Sequence, residues 1–177
     1  MSVVAGPLPG SSAEGVAEFV ALLRTHDDVL RAFAYRLVGA DVDDVLQAAY
    51  LAAFRALPEF RGDASLQTWL HRIVYTTGVN HLRSNRRRSE HEQRSRIVSE
   101  SADVADVAVA HVDLNRAIDA LTVDQRAVLL LVDAAGFSYT EAAEILGIEV
   151  GTIASRLSRA RHSVRSELTV ERSPDDI

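Results

Sequence analysis

Apolar residues recur at helical spacing along most of the chain, and no segment alternates with period two. Val16, Phe19, Val20 and Leu23 fall on one side of a first helix. Leu30, Phe33, Ala34 and Leu37 continue the pattern; Asp27 or Asp28 ahead of them and Gly39 behind predict the cap and the stop of a second helix. A third starts after Asp41 and Asp43, carries Val45, Leu46, Ala49, Tyr50 and Ala53 inward, and ends before Pro58. The polar loop at residues 61–64 then leads into a long helix from about Ser65 past Leu82, with Leu66, Trp69, Leu70, Ile73 and Val74 on its buried side.

The composition changes after Arg88. Residues 89–111 are polar at first and only weakly apolar later, which predicts a flexible linker with a short helical tendency near Val104 to Val109. A second unit begins near Val112, where Asp113 is placed to cap a helix bearing Leu114, Ala117, Ile118 and Leu121. Thr122 with Gln125, and Ser138 with Glu141, have the spacing of capping boxes, each followed by a short helix that a glycine stops, Gly136 and Gly147. A last helix runs from about Val150 to Leu168. The expected fold is all-α: two small helical domains at residues 16–90 and 112–168, a flexible linker at 91–111, a disordered Gly/Pro/Ser-rich arm at 1–15 and an acidic tail at 169–177.

Composition narrows the function. The 177 residues include no cysteine, so no disulfide framework and no thiolate metal site is available, and the six histidines lack ligand spacing. No run of about 18 apolar residues occurs and the N-terminal stretch has no basic and apolar regions of a signal peptide, so a cytoplasmic protein without membrane insertion is expected. No nucleophile-and-base constellation, phosphate-cradling glycine loop or metal cluster is visible, which argues against an enzyme and predicts no cofactor. The net charge is -6, and every one of the 19 basic residues is arginine. That charge is segregated: residues 61–100 and 150–168 are basic, while the rest of the chain is acidic. Two basic blocks in an acidic protein suggest two contacts with a polyanion.

The second block lies in the segment from Phe137 to Arg161, where a capped short helix, a glycine turn and a longer amphipathic helix have the order of a helix-turn-helix. With Ile145, Leu146, Ile153 and Leu157 inward, Thr152, Ser155, Ser158, Arg159 and His162 face outward and Arg156 and Arg161 lie on the flanks. Hydroxyls and guanidinium groups can read base edges or grip phosphates. An ordinary helical hairpin with a solvated face is the bland alternative.

Taken together, residues 43–62, 65–88, 120–131 and 137–161 resemble, in order and spacing, a bacterial RNA polymerase sigma factor of the extracytoplasmic-function type. The resemblance implies a subunit that binds core polymerase, through the β′ clamp helices and the β flap, and directs promoter recognition and strand opening, commonly under the control of an anti-sigma factor. It implies clamp contacts by Asp44, Gln47 and Tyr50, although position 48 is alanine where an acid is common. It implies capture of the melted minus-ten element by Arg61, Ser65, Asn80, Arg83, Asn85, Arg86 and Arg87; Trp69 could serve that strand as a stacking platform, but its place between Leu66, Leu70 and Ile73 favours a core role. For the minus-thirty-five duplex it implies Ser155, Ser158 and Arg159 on base edges and Thr152, Arg156 and Arg161 on phosphates, with Ala154 standing where a basic residue is common. A stand-alone helix-turn-helix regulator, or a decoy that sequesters an anti-sigma factor, are the competing readings.

Overall fold

The computed structural model describes residues 13–93 and 109–170, and among these the chain is helical with no strand. The predicted linker core, the short helix near Val104 and the distal tail lie outside the described residues.

The first element, α1 (Ala13–Val38), is one continuous helix rather than the two expected. Asp27 is not a cap: its carboxylate accepts the Tyr50 hydroxyl at 2.8 Å and approaches Arg31 at 3.8 Å, and neither Gly nor Pro interrupts residues 16–38. Gly39 ends the helix as expected; at φ 64° it sits where residues with a Cβ are strained. A 3-10 turn, Gly39–Asp41, leads into α2 (Val42–Ala56), and a second one, Leu57–Glu59, carries Pro58 at its start. α3 (Leu66–Gln93) is longer than the periodicity alone predicted. Leu30, Leu46, Leu70 and Val74 from these three helices are fully buried. Gly78 permits the close approach of α3: a Cβ there would lie 3.4 Å from Val38 and 3.8 Å from Val45.

In the second unit α4 (Val109–Asp119) starts ahead of Asp113, so that residue is inside the helix and not its cap. Both capping boxes form, opening α5 (Val123–Leu129) at Thr122 and α6 (Tyr139–Leu146) at Ser138. Between them the chain makes one π-helical turn, Leu130–Ala134, closed by the Ala135 N–H donating to the Leu130 carbonyl at 2.9 Å. Gly147 takes the left-handed conformation at φ 66° and turns the chain into α7 (Val150–Val170).

The two units do not stand apart. α3 packs along α6 and α1 against α5, and the buried residues of both units form one continuous core. At the seam His71 of α3 is fully buried between the rings of Phe33, 5.8 Å away, and Phe137, 4.7 Å away and edge-on. Its Nδ1–H donates to the Gln67 carbonyl at 2.9 Å, while Nε2 finds no partner. Arg126 seals the rim, donating to the carbonyls of Ile118, Asp119 and Leu121 in its own unit and to that of Arg36 in α1.

Burial holds the His71 imidazole neutral, lowering its pKa to about 4; its hydrogen bond to the Gln67 carbonyl opposes the shift, and His26 on α1 adds to it. An unfolded chain takes up this proton near pH 6.5 and the folded one refuses it. Stability should therefore be intact above pH 6.5 and fall as pH drops toward 4, by about 3 kcal/mol at the acid end. Urea unfolding between pH 7 and 4.5 measures this, and His71→Phe should flatten that part of the profile.

Candidate nucleic-acid and polymerase surfaces

The α6–Gly147–α7 unit has the helix-turn-helix form. Ile145, Leu146, Ile153, Leu157 and Ala160 are buried, which fixes the rotation of α7 and leaves Ser155, Ser158, Arg159 and Arg161 exposed. Thr152 and Arg156 are half-buried. Ser155 donates its hydroxyl to the Thr152 carbonyl at 3.0 Å and keeps its lone pairs outward. Two of the six candidate residues are engaged by acids of the same unit: Arg156 pairs with Asp124 at 3.0 Å, and Arg161 grips Asp133 through two hydrogen bonds of 2.9 and 2.6 Å. The Asp133 hydrogen bond, and then its charge, raise the Arg161 pKa further above its ordinary value. Ser158 and Arg159 thus form the unengaged centre of this face among the described residues. A notch beside them, walled by Tyr139, Ala154, His162 and Arg165, extends the polar surface toward the C-terminal half of α7.

The candidates on the first unit fall into two patches. Arg61 is exposed in the loop before α3, and Ser65 caps that helix, accepting the Thr68 N–H at 3.0 Å. Asn80, Arg83, Arg86 and Arg87 are exposed on the C-terminal half of the same helix. At 1.5 Å per residue along the helix the two patches are about 22 Å apart. Asn85 is half-buried, and its amide donates to Asp41 at 3.1 Å. Trp69 is half-buried, its ring tilted by 52° against Phe60 with centroids 5.1 Å apart; its remaining edge walls a surface notch with Ala52, Arg72, Ile73 and Thr76. It therefore serves the core and still reaches the surface.

Tyr75 of α3 lies within electrostatic reach of both basic helices. Burial raises its pKa first and Asp124 adds to that, while Arg156 of α7 and Arg83 of α3 pull it back. The phenol thus feels charges from both basic blocks at once.

On α2, Val45, Leu46, Ala49 and Ala53 point inward. The opposite stripe carries Asp44 and Gln47, both exposed, followed by Leu51 and Phe54, which are 51 % and 54 % exposed. Positions 44, 47, 51 and 54 recur at helical spacing and make one continuous face. Sequence reasoning missed its apolar half, although placing the core residues on a wheel leaves Leu51 and Phe54 opposite them. Tyr50 is off this stripe: half-buried, it donates to Asp27, and burial followed by that carboxylate pushes its pKa well above the ordinary phenol value. Among the described residues no group of three or more acids and histidines is arranged to hold a metal, and no helix is long and apolar enough to cross a membrane.

Residues 22–88 match Sigma-70 region 2 and residues 111–163 match Sigma-70, region 4. A probable RNA polymerase sigma-C factor of Mycobacterium bovis is 32 % identical over 99 % of this chain and 94 % of its own length. The ECF RNA polymerase sigma-E factor of Escherichia coli K12 is 33 % identical over 72 % of this chain and 74 % of its own. Among solved structures, the sigma factor RpoE of Bartonella quintana, crystallised with the anti-sigma factor NepR, superposes with a TM-score of 0.73 at 31 % identity, covering 88 % of this chain and 99 % of that one. With both regions matched in order and nearly the whole chain aligned to such relatives, the protein belongs to the extracytoplasmic-function sigma factors of bacterial RNA polymerase.

Proposed function

We propose a division of labour among the exposed faces of this sigma factor, which binds core polymerase and directs promoter recognition and initiation. The outer stripe of α2, with Asp44 and Gln47 at one end and Leu51 and Phe54 at the other, docks on the clamp helices of the β′ subunit. The unit at residues 112–168 approaches the β flap and sets α7 in the major groove of the minus-thirty-five element, Ser155, Ser158 and Arg159 meeting base edges. Thr152, Arg156 and Arg161 take phosphates, the two arginines exchanging Asp124 and Asp133 for the DNA backbone. The two patches of α3 hold the melted minus-ten strand, with Arg61 and Ser65 at one end and Asn80, Arg83, Asn85, Arg86 and Arg87 at the other. Binding free energy from unstacked bases shifts the duplex toward the open state, and this chain makes or breaks no bond. Its place of work is the cytoplasm, and an anti-sigma factor is its expected regulator.

The observation that carries this reading is the pairing of a helix-turn-helix with a second basic helix in an otherwise acidic chain. A stand-alone regulator leaves the α2 stripe and α3 unused, and a decoy has no need of Arg159 on an exposed face. The same reading requires the seam to open. Minus-ten and minus-thirty-five elements lie about 25 base pairs apart, or about 85 Å at 3.4 Å per pair. α3 packs on α6 and α6 on α7, and at 8–10 Å for each helix pair the two DNA-facing helices are within about 20 Å. The described state therefore serves one promoter element at a time.

Run-off transcription with purified core enzyme tests the assignment: the wild-type chain should initiate from a promoter library, and a stand-alone regulator would not. In the same assay Arg159→Ala should cost about 1–3 kcal/mol and relax selection at one minus-thirty-five position. Phe54→Ser should weaken binding to core enzyme by about tenfold or more, read by fluorescence anisotropy, with no loss of melting temperature because the ring it removes is exposed. Energy transfer between dyes at Ala40 and Ser163 should be high in the free chain and drop once core enzyme and promoter are added; an unchanged signal would contradict opening.

A further inference from the structure

Asn85 lies on the stretch of α3 proposed to hold the melted strand, and its role in base selection rests on that proposal. Its side-chain amide is held from another part of the chain. Nδ2 lies 3.1 Å from Oδ2 of Asp41, in the 3-10 turn between α1 and α2; the same oxygen is 2.8 Å from Nε2 of His81, one turn back on α3, and Nδ2 is itself 2.9 Å from that ring nitrogen, so the three atoms form one cluster. A carboxylate offers only lone pairs, so the Asn85 amide must turn its NH2 toward it. The flipped orientation would bring Oδ1 against Oδ2 and leave both acceptors to share the single N–H of His81, whereas the NH2 supplies Asp41 with a proton of its own. Asp41 is in turn fixed by the short turn it belongs to and by the second donor, His81. The amide oxygen is therefore the group of Asn85 left facing away from Asp41, on a side chain that is only half-buried.

We propose that Asp41 is a positioning residue for base selection: by holding the Asn85 NH2 it leaves Oδ1 to the strand, so that Asn85 selects a melted base with an exocyclic amino group over thymine. Unstacked bases are read on their Watson–Crick edges. Adenine, cytosine and guanine each present an NH2 there that can donate to Oδ1. Thymine flanks its single N3–H with two carbonyl oxygens, which meet an amide oxygen poorly. An Asn with both ends of its amide available would adapt to either kind of edge; the Asp41 contact removes that freedom.

The test is run-off transcription by reconstituted holoenzyme on a promoter library randomised through the minus-ten element, scored position by position. A base contact worth about 1–3 kcal/mol corresponds to a preference of about fivefold to a hundredfold at one position, at 1.4 kcal/mol per decade. The wild-type should prefer an amino-bearing base over thymine at one position by a factor in that range. Asn85→Ala should flatten that position and spare the others, and Asp41→Ala should flatten the same position. Asp41→Asn, whose amide oxygen still accepts from Asn85, should retain most of the preference. The proposal is overturned if Asn85→Ala flattens no position, or if the position it flattens favours thymine. It is equally overturned if Asp41→Ala lowers yield for all bases alike, with a lower melting temperature but the preference intact, since Asp41 would then only pin α2 to α3. A wild-type chain that fails to transcribe with core enzyme would sink the parent assignment instead, whereas a competent one with an indifferent Asn85 would sink this inference alone.

Discussion

The seam between α3 and α6 is the constraint on which the rest of the structure depends. Each unit alone is a small helical bundle with modest area to bury, and small domains are marginal for that reason. Packing α3 on the helix-turn-helix lets the two bundles share one interior, with His71 and Phe137 at its centre. The gain comes with a conflict, because the helix that closes the seam is the one assigned to melted DNA. The free chain is stabilised by an arrangement that the proposed two-element promoter binding would undo. Polymerase and DNA then have to supply the free energy of opening, which lowers apparent affinity in proportion to the open fraction.

A similar restraint governs the charges. Asp124 and Asp133 hold Arg156 and Arg161 across the edge of α7. Exposed pairs of this kind contribute little to stability. On the proposed reading their effect is on availability, since phosphate would have to compete with a carboxylate already in place. The centre of the recognition face, Ser158 and Arg159, is not engaged in that way among the described residues. Backbone grip is thus restrained more than base reading, an ordering that suits a chain which should not coat random DNA before it joins polymerase.

Much of the fold was legible because the punctuation is chemical. The capping boxes at Thr122 and Ser138 and the glycine stops at Gly39, Gly136 and Gly147 all act within four residues, and each formed where the sequence placed it. The misreadings share one cause. Asp27 and Asp113 are residues that cap helices when nothing else claims the position, yet both lie inside helices, and Asp27 serves Tyr50 from a helix away. Local pattern cannot register a long-range partner such as that of Asp27, nor that α4 begins ahead of Asp113. The same holds at the surfaces: the basic character of α3 and α7 could be read directly, but not that Asn85 answers to Asp41, nor that the buried faces of the two units adjoin. Leu51 and Phe54 were overlooked for the opposite reason, since apolar residues on an amphipathic helix are assumed to belong to the interior until the neighbouring helices are in place.

The single π-helical turn at Leu130–Ala134 sets the phase at which its helix ends. A wide turn is an α-helix that has absorbed one extra residue, and each residue advances a helix by about 100°. That rotation fixes how the helix hands over to the Gly136 turn and so bears on which way Phe137 points. The ring that fills the seam is therefore placed in part by one inserted residue. A chain lacking it would keep its composition, its caps and its basic block, yet would aim the plug in a new direction.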